Sequence, residues 1–334
     1  MTPPVAAPVF IASVLVTLGA AGVFARRLDQ VGLRLGLPET LLGLLTALAS
    51  DSPEVASAIA ALVRGQHGIA VGVVVGSNAF NIAAMLGLGA ILATGIRVRR
   101  ESLLVEAFVG LWVTLVVGLL VAGVLGPPAT LALVAVVVVP YVVLLVAGRA
   151  GIPGLHLPAG ERRFVLRSFG EGHRAARPRP SREEAVLLPT LLLLAALAVV
   201  VAGSVAMVAA AVDLADAWRI SHALVGVLVL AVLTSLPNAS TGVRFALQHR
   251  GSALVSETLN SNSINLVVGI AIPATIVGLG AFTALTVFDL VWLVAMTVAG
   301  LVVFSRRGGP GRGGGVLLIA LYGVFVAAQI AVHV

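Results

Sequence analysis

The chain has 334 residues, of which 59% are hydrophobic and only 10% charged; its formal net charge is +7 and it has no cysteine. This composition is far from that of a soluble domain and is typical of a protein embedded in lipid. Disulfides and thiolate metal sites are excluded. The arginine excess lies in short segments between apolar runs, so it indicates membrane topology rather than nucleic-acid binding.

Ten apolar segments follow one another along the chain, each long enough for the ~20 residues that cross a bilayer as a helix. The short alternating segments of a membrane barrel are absent. The first segment follows a start without basic residues, so we expect a span rather than a cleaved signal. The sequence therefore predicts an all-α integral membrane protein with ten transmembrane helices, at about 7–24, 38–63, 69–94, 103–125, 128–147, 186–211, 221–247, 252–281, 283–304 and 314–333.

Arginines fall on alternate loops, which predicts the cytoplasmic side of a plasma-membrane protein. The longest loop, 148–185, carries eight arginines against four glutamates. We therefore expect this loop to be cytoplasmic and both termini to lie outside. The other loops on the predicted cytoplasmic side carry Arg26, Arg27 and Arg34; Arg97, Arg99 and Arg100; and Arg306, Arg307 and Arg312.

The long basic loop separates five predicted spans, within residues 1–147, from five others within residues 186–334. An odd number of spans in each half makes the second half enter the membrane from the opposite face. The sequence therefore predicts two inverted five-helix repeats, an architecture of secondary transporters.

Two polar motifs occupy matching places in the halves, at a constant offset of 184 residues. Each contains a proline and hydroxyl, carboxylate or carboxamide groups in the second and third span of its half. Polar groups at that depth are costly, so they indicate function. The pairs at this offset are Pro53 and Pro237, Ser77 and Ser261, Asn78 and Asn262, and Asn81 and Asn265.

The two motifs offer the oxygen ligands of one cation site. A proline inside a helix frees the carbonyl four residues earlier, here near Ala49 and Leu233. Hard oxygens suit Na⁺, Ca²⁺ or similar ions rather than soft metals. The alternative is that the prolines only kink helices and the small polar residues only hold them together. The side-chain candidates are Asp51 and Glu54; Ser50, Ser52, Thr234 and Ser235; and Asn78, Asn81, Asn262 and Asn265.

The paired motifs resemble those of the calcium/cation antiporter superfamily, most closely the ten-helix sodium/calcium exchangers. The family's alpha repeats match Ala49-Ser-Asp-Ser-Pro-Glu54 with Gly72-Val-Val-Val-Gly-Ser-Asn-Ala-Phe-Asn81, and Leu233-Thr-Ser-Leu-Pro-Asn238 with Ser256-Glu-Thr-Leu-Asn-Ser-Asn-Ser-Ile-Asn265. The repeats extend over 41–92 and 224–275. This resemblance implies alternating access, with Na⁺ and Ca²⁺ competing for one site near the bilayer midplane.

The resemblance also implies individual ligands in this chain. Glu54 would be the central ligand of the first repeat, and the carbonyls of Ala47 and Ala231 would bind sodium. Hydroxyl and amide ligands would come from Ser50, Ser77, Asn81, Thr234, Ser235 and Ser261. Inorganic cations and the lipid bilayer are the implied partners; we expect no cofactor, no enzymatic activity and no nucleic acid.

Four positions depart from the exchanger motif. Asn238 and Asn265 replace a glutamate and an aspartate, whereas Asp51 and Glu257 are carboxylates that the family lacks there. Asp51 and Glu54 are close enough in sequence to repel each other, which favours proton coupling as an alternative to Na⁺ and Ca²⁺ exchange. A membrane protein that binds ions without transporting them is a further alternative.

Three other polar residues have interpretations that require no role in ion binding, and a fourth, Glu257, has two possible roles. Glu106 and Arg244 lie near cytoplasmic span ends, so their side chains are expected to reach the interface. His222 begins a span at the outer surface, where a solvated histidine is the default. Glu257, one turn before Ser261, is either a relay towards the site or a hydrated glutamate of the cytoplasmic vestibule.

Overall fold

The computed structural model describes residues 1–35, 39–93, 96, 98–151, 187–279, 284–306 and 309–333. Throughout this described part the chain forms helices and no strand. The predicted all-α membrane class is therefore confirmed. Most of the predicted basic loop 148–185 lies outside the described residues.

The described part of the first half contains seven α-helices. A π-helical segment, Ile82–Gly87, joins the fourth to the fifth without a break. The helices are α1 Pro3–Arg34, α2 Glu39–Ser50, α3 Ser52–Val63, α4 His67–Asn81, α5 Leu88–Leu92, α6 Arg100–Val121 and α7 Pro127–Gly151.

Among the residues described in the second half, the chain forms eight α-helices and two π-helical segments, Val225–Leu230 between α9 and α10 and Val267–Ala271 between α12 and α13. The helices are α8 Leu187–Trp218, α9 His222–Leu224, α10 Ala231–Thr234, α11 Leu236–Leu247, α12 Gly251–Leu266, α13 Ile272–Val277, α14 Ala284–Phe304 and α15 Gly311–His333.

Within the described residues, eight helices are long and apolar enough to cross a membrane. A ninth span results if the bent pair His222–Thr234 and Leu236–Leu247, inclined by 48°, is one span. The predicted span 38–63 comprises two 12-residue helices, α2 and α3. The total of ten stays a prediction.

Several helices extend beyond the apolar segments that predicted them. The first, predicted at 7–24, reaches Arg34, so Arg26 and Arg27 lie inside α1 and not in a loop after it. Hydropathy marks only the part of a helix that lipid surrounds, whereas backbone hydrogen bonds continue into polar residues.

Both polar motifs interrupt a helix at the matching place. α2 ends and α3 begins around Asp51, and α10 ends and α11 begins around Ser235. Each break lies two residues before a proline, Pro53 or Pro237, in the first turn of the next helix. Proline is tolerated there because the first amides of a helix have no partner within it. The prolines therefore start new helices.

The helices that carry the motifs form the centre of the molecule. In the span His67–Leu92, 94% of an apolar stretch of 18 residues is buried. The corresponding shares are 22% in Pro3–Gly32 and 17% in Pro127–Leu145. α4 packs against α3, α10, α12 and α14, while α1 packs mainly along α8. α1 and α7 therefore present their outer faces to lipid, and α4 is enclosed by protein.

Glycines bring α4 into backbone contact with the π-helical segment of the second half. A Cβ on Gly76 would clash with the carbonyl of Val227, and one on Gly226 would clash with the backbone of Ile69. Small residues permit such close approach between helices in a membrane. This contact positions α4 beside the helix break at Ser235.

Candidate ion-binding site

Two carboxylates from the first half meet polar residues of the second half in the protein interior. Asp51 lies at the first helix break and Glu54 in the first turn of α3, where the positive end of the helix dipole favours a carboxylate. Asn238 occupies the first turn of α11, and Ser261 lies on α12. None of the four is more than 1% exposed.

Asn238 links the two carboxylates. Its amide nitrogen Nδ2 lies 2.7 Å from Asp51 Oδ1, 3.0 Å from Glu54 Oε1 and 3.2 Å from Ser261 Oγ. The Ser261 hydroxyl also donates to Asp51 Oδ1, at 2.5 Å. An amide nitrogen has only two hydrogens, so these acceptors share them. The second half thus supplies neutral donors to both negative groups of the first half.

Four further carboxamides cross-link α4 and α12. Asn78 Nδ2 donates to the carbonyl of Asn262 at 3.0 Å, and Asn262 Nδ2 donates to the carbonyl of Asn78 at 3.2 Å. Asn81 Nδ2 donates to Asn262 Oδ1 at 3.3 Å, and Asn265 Nδ2 donates to Asn78 Oδ1 at 3.2 Å. Each bond has a counterpart with the two halves exchanged. Asn81 additionally donates to Ser261 Oγ at 3.1 Å.

Five buried oxygens of these residues have no hydrogen-bond donor. A buried acceptor without a donor costs about 1–3 kcal/mol, so five in one protein interior require an explanation. Carboxylate and amide oxygens together are the ligands that Na⁺ and Ca²⁺ prefer. These residues therefore fit a hard cation, and the oxygens are Asp51 Oδ2, Glu54 Oε2, Asn81 Oδ1, Asn238 Oδ1 and Asn265 Oδ1.

Carboxamides matter because acidic residues alone do not form the site. Among the described residues there is no group of three or more His, Cys, Asp or Glu that could hold a metal. Any cation at this position would need neutral amide, hydroxyl or carbonyl oxygens beside Asp51 and Glu54.

The remaining hydroxyl candidates surround this centre with different contacts. Ser77 Oγ donates to the carbonyl of Ala231 at 3.4 Å, whereas Thr234 Oγ1 donates to the carbonyl of Leu230, at the end of the preceding π-helical segment, at 2.9 Å. Ser235 is fully buried at the second break, and Ser50 is half-buried at the end of α2.

The two carbonyl candidates take part in helix hydrogen bonds. The Ala47 carbonyl accepts from Asp51 N–H at 2.9 Å, and the Ala231 carbonyl accepts from Ser235 N–H at 3.2 Å. A carbonyl has two lone pairs, so the bond from Asp51 leaves the Ala47 oxygen one lone pair for a cation. The Ala231 oxygen, by contrast, also accepts from Ser77 Oγ and Thr234 Oγ1, both at 3.4 Å. The Ala49 carbonyl, which we expected Pro53 to free, accepts from Ser52 Oγ at 2.7 Å.

Glu257 is not part of the hydrogen-bonded centre. It is half-buried on α12, one turn before Ser261, with Asp51 and Arg244 as its charged neighbours. Glu257 therefore lies between the hydrogen-bonded residues of the site and the protein surface. Arg244 is exposed and lies over the ring of Phe245, as expected for a side chain that reaches the interface.

Sequence reasoning assigned two groups of residues incompletely. Asn78 and Asn262 are among the side chains whose oxygens could bind a cation, but the family resemblance does not imply them as ligands. In the structure they form the reciprocal hydrogen bonds between α4 and α12. Both positions are asparagine at the shared offset of 184 residues, and this identity could have indicated that they pair. The expectation for Glu106 is wrong: its side chain is 6% exposed and bonded to Tyr141, so it does not reach the interface.

Fold and site together define an all-helical, multi-pass membrane protein with an oxygen-lined polar centre between two broken helices. A family model for the sodium/calcium exchanger protein matches residues 5–147 and 188–331, so the chain belongs to the sodium/calcium exchanger family. The resemblance inferred from the two motifs is thereby confirmed.

Two curated relatives are similar in sequence. The inner membrane protein YrbG of Escherichia coli is 27% identical over 305 residues, which cover 87% of this chain and 86% of YrbG. The sodium/calcium exchanger MaX1 of Methanosarcina acetivorans is 38% identical over 71 residues, 21% of this chain and 20% of MaX1.

Two solved structures share the fold. The sodium-calcium exchanger NCX_Mj has a TM-score of 0.60 at 20% identity, covering 98% of this chain and 99% of the other. The structure of native YfkE has a TM-score of 0.66 at 17% identity, covering 96% and 91%. At this level of identity the likeness concerns the fold alone.

Proposed function

We propose that this protein is a secondary-active cation antiporter that exchanges Na⁺ against Ca²⁺ or a related cation by alternating access. One observation carries the proposal: five buried oxygens without donors are contributed by both halves, two of them by the carboxylates Asp51 and Glu54 and three by carboxamides. Membership of the sodium/calcium exchanger family supports the same conclusion. The names of MaX1 and NCX_Mj indicate Na⁺ and Ca²⁺ as the first ions to test.

The proposal includes ten spans in two inverted repeats, residues 1–147 and 186–334, with a cytoplasmic loop 148–185 and external termini. The reciprocal hydrogen bonds of Asn78 and Asn262 support it, because a two-fold relation between the halves exchanges these residues. The matching helix breaks at Asp51 and Ser235 support it as well.

In the proposed site, Asp51 and Glu54 supply the negative charge and the second half supplies mainly neutral oxygens. Two carboxylates balance one Ca²⁺ or two Na⁺, which permits exchange at constant site charge. Glu257 is proposed as a relay on the path to the surface. The remaining proposed ligands are Ala47, Ser50, Ser77, Asn81, Ala231, Thr234, Ser235, Asn238, Ser261 and Asn265.

Cation/proton exchange is the second candidate. Asp51 and Glu54 both accept from the same Asn238 nitrogen, so their carboxylates lie close together in the protein interior. Like charges at short range favour a proton on one of them. A proton could therefore replace one of the transported cations.

Counterflow in proteoliposomes tests the proposal. An antiporter takes up labelled cation faster when unlabelled substrate is present on the opposite side, whereas an ion-binding protein without transport activity moves nothing. A panel of Na⁺, Ca²⁺, Mn²⁺, Mg²⁺ and K⁺ at two pH values identifies the coupled pair. Binding without counterflow for every ion would refute the antiporter.

A further inference from the structure

A second polar cluster lies where α6, α7 and α12 meet, outside the ion-binding site. Its carboxyl and phenol groups are buried, and its two members on α12 are half-buried. Its members are Glu106 on α6, Tyr141 on α7, and Ser256 and Asn260 on α12. Glu106 and Tyr141 are 6% and 5% exposed. Glu106 lies six residues after the start of α6, about 9 Å along the helix at 1.5 Å per residue, so a carboxyl group is held well inside the protein.

The four side chains form a closed ring of hydrogen bonds. Ser256 Oγ donates to Glu106 Oε1 at 2.7 Å, and Asn260 Nδ2 donates to Ser256 Oγ at 3.2 Å. The Tyr141 hydroxyl oxygen lies 3.0 Å from Asn260 Oδ1 and 2.9 Å from Glu106 Oε2. We call this group the Glu106 ring.

The ring requires one more hydrogen than an ionised Glu106 provides. The Tyr141 hydroxyl has a single hydrogen and two acceptors within reach, Glu106 Oε2 and Asn260 Oδ1; in the first arrangement it gives this hydrogen to Asn260 Oδ1. Its contact with Glu106 Oε2 is then a bond only if Oε2 carries a hydrogen. With a carboxylic acid at Glu106, each of the four residues donates one bond in the ring and accepts one.

The two arrangements with a carboxylate leave the ring incomplete. If Tyr141 turns its hydrogen to Glu106, Asn260 Oδ1 loses its donor. If the Asn260 amide is reversed, its oxygen faces Ser256 Oγ, whose hydrogen is already given to Glu106. Either change leaves the half-buried Asn260 Oδ1 without a donor from the ring.

From this geometry we propose that Glu106 is a proton-binding site separate from the cation site, and that its bound proton closes the ring that holds α12 against α6 and α7. A comparison with the cation site supports a proton, and not a metal ion, as the ligand of Glu106. The cation site has five buried oxygens without donors, whereas no polar atom of the Glu106 ring is among the buried atoms without partners. The ring offers no spare oxygen to a metal ion.

The proton at Glu106 acts on the same helix that carries the cation site. Ser256 and Asn260 immediately precede Glu257 and Ser261 on α12. Loss of the proton opens the ring between Tyr141 and Asn260, and both residues line a cavity of about 230 Å³ between α2, α6, α7 and α12. We therefore expect protonation of Glu106 to tighten the contact between α7 and α12 at this cavity, and its deprotonation to loosen that contact.

Other charged groups near α6 are separate from the ring. Arg100 and Glu101 lie in the first turn of α6 itself. On the packed helices, Glu257 of α12 has Asp51 and Arg244 as charged neighbours, and Asp289 of α14 accepts from Gln329 of α15. Tyr141 of α7 is the ionisable group in direct contact with Glu106.

Infrared spectroscopy tests for the proton directly, in buffer free of alkali and divalent metal ions. The carbonyl stretch of a protonated carboxylic acid is expected in the wild type and in the double variant Asp51→Asn, Glu54→Gln. The Glu106 component of this band should be lost when Glu106→Gln is added to that double variant, since the new amide still accepts from Ser256 and donates to Tyr141 but carries no acid. If Glu106→Gln does not fold, Tyr141→Phe should shift the band because the acid loses its acceptor. A carbonyl region unchanged in the variant that folds would overturn the proposal.

Thiol labelling tests the opening, since the chain has no cysteine of its own. Val142→Cys lines the cavity, and Val124→Cys, at a position 67% exposed, corrects for the pH dependence of thiol reactivity. After this correction we expect the rate of maleimide labelling at residue 142 to rise severalfold as pH rises. In a Glu106→Gln background the rate should stay constant. An equal rise in both backgrounds would overturn the proposal, and neither readout depends on cation transport.

Discussion

At the scale of single residues, Asn238 decides what kind of site this is. A carboxamide there donates hydrogens to Asp51 and Glu54, whereas the glutamate of the related motif could only accept or repel. The first half therefore supplies both negative charges. This uneven division makes the two carboxylates the most informative positions for mutagenesis.

Glu54→Gln is expected to reduce exchange to less than about a tenth of wild type, a change of more than ~1.4 kcal/mol. The substitution keeps the shape of the side chain and its contact with Asn238, but removes a charge that the cation needs. Flux in proteoliposomes measures the effect. Asp289→Asn, which changes a buried carboxylate outside the site, serves as the matched control and should retain exchange.

Asp51→Ser should also strongly reduce transport. Adding Asn238→Glu to this variant should restore part of the transport and shift its selectivity towards Ca²⁺. The reason is that the second variant returns a carboxylate to the same cluster from the opposite half. Relative uptake of Ca²⁺ and Na⁺ is the measurement. If the double variant is no better than Asp51→Ser alone, the two positions are not interchangeable.

Much of the site could be predicted from residue identity, but the hydrogen bonds could not. Prolines and carboxylates in apolar segments indicated Asp51, Glu54 and Asn238, because buried polar groups need a function. The donation from Asn238 to both carboxylates depends on how α11 approaches α3 in space. Glu106 was misjudged for a similar reason, since its partners Tyr141 and Ser256 come from distant parts of the chain.

At the scale of elements, α4 and the Val225–Leu230 segment form a close backbone contact beside the site. Their backbones meet at Gly76 and Gly226, where any side chain would have to displace backbone. Packing at this contact holds Ser77 and Asn81 opposite the second helix break. The contact therefore controls both stability and the geometry of the site.

Gly76→Ala is expected to destabilise the protein by about 1–3 kcal/mol, because the added methyl group overfills a packed contact. The loss should appear as a lower midpoint of thermal unfolding in detergent. Gly19→Ala in α1 is the matched control, since a Cβ there has no atom within 4 Å. Equal stability of the two variants would contradict the close packing described here.

Element boundaries could be predicted only in part. Hydropathy located every described span, but it could not reveal that 38–63 is two helices meeting at Asp51. The π-helical segments at 82–87, 225–230 and 267–271 were not predicted either, because hydropathy does not distinguish a π-helical turn from an α-helical one.

At the scale of the whole molecule, the placement of arginines predicts the orientation in the membrane. The loop 148–185 with its eight arginines should face the cytoplasm. Protease added to sealed right-side-out vesicles should therefore leave this loop intact, and cleave it once the vesicles are opened by detergent. Cleavage in sealed vesicles would reverse the orientation.

The reciprocal bonds between Asn78 and Asn262 have a consequence for biosynthesis. The two residues are separated by 184 positions in the chain, so the partner of each amide in α4 is made long after α4 itself. At roughly 5–20 residues per second, the delay is about 10–40 s. During that time Asn78, Asn81, Asp51 and Glu54 lie in newly inserted helices without their partners from the second half. A nascent chain stalled at the ribosome after residue 147 is therefore the form most exposed to quality control.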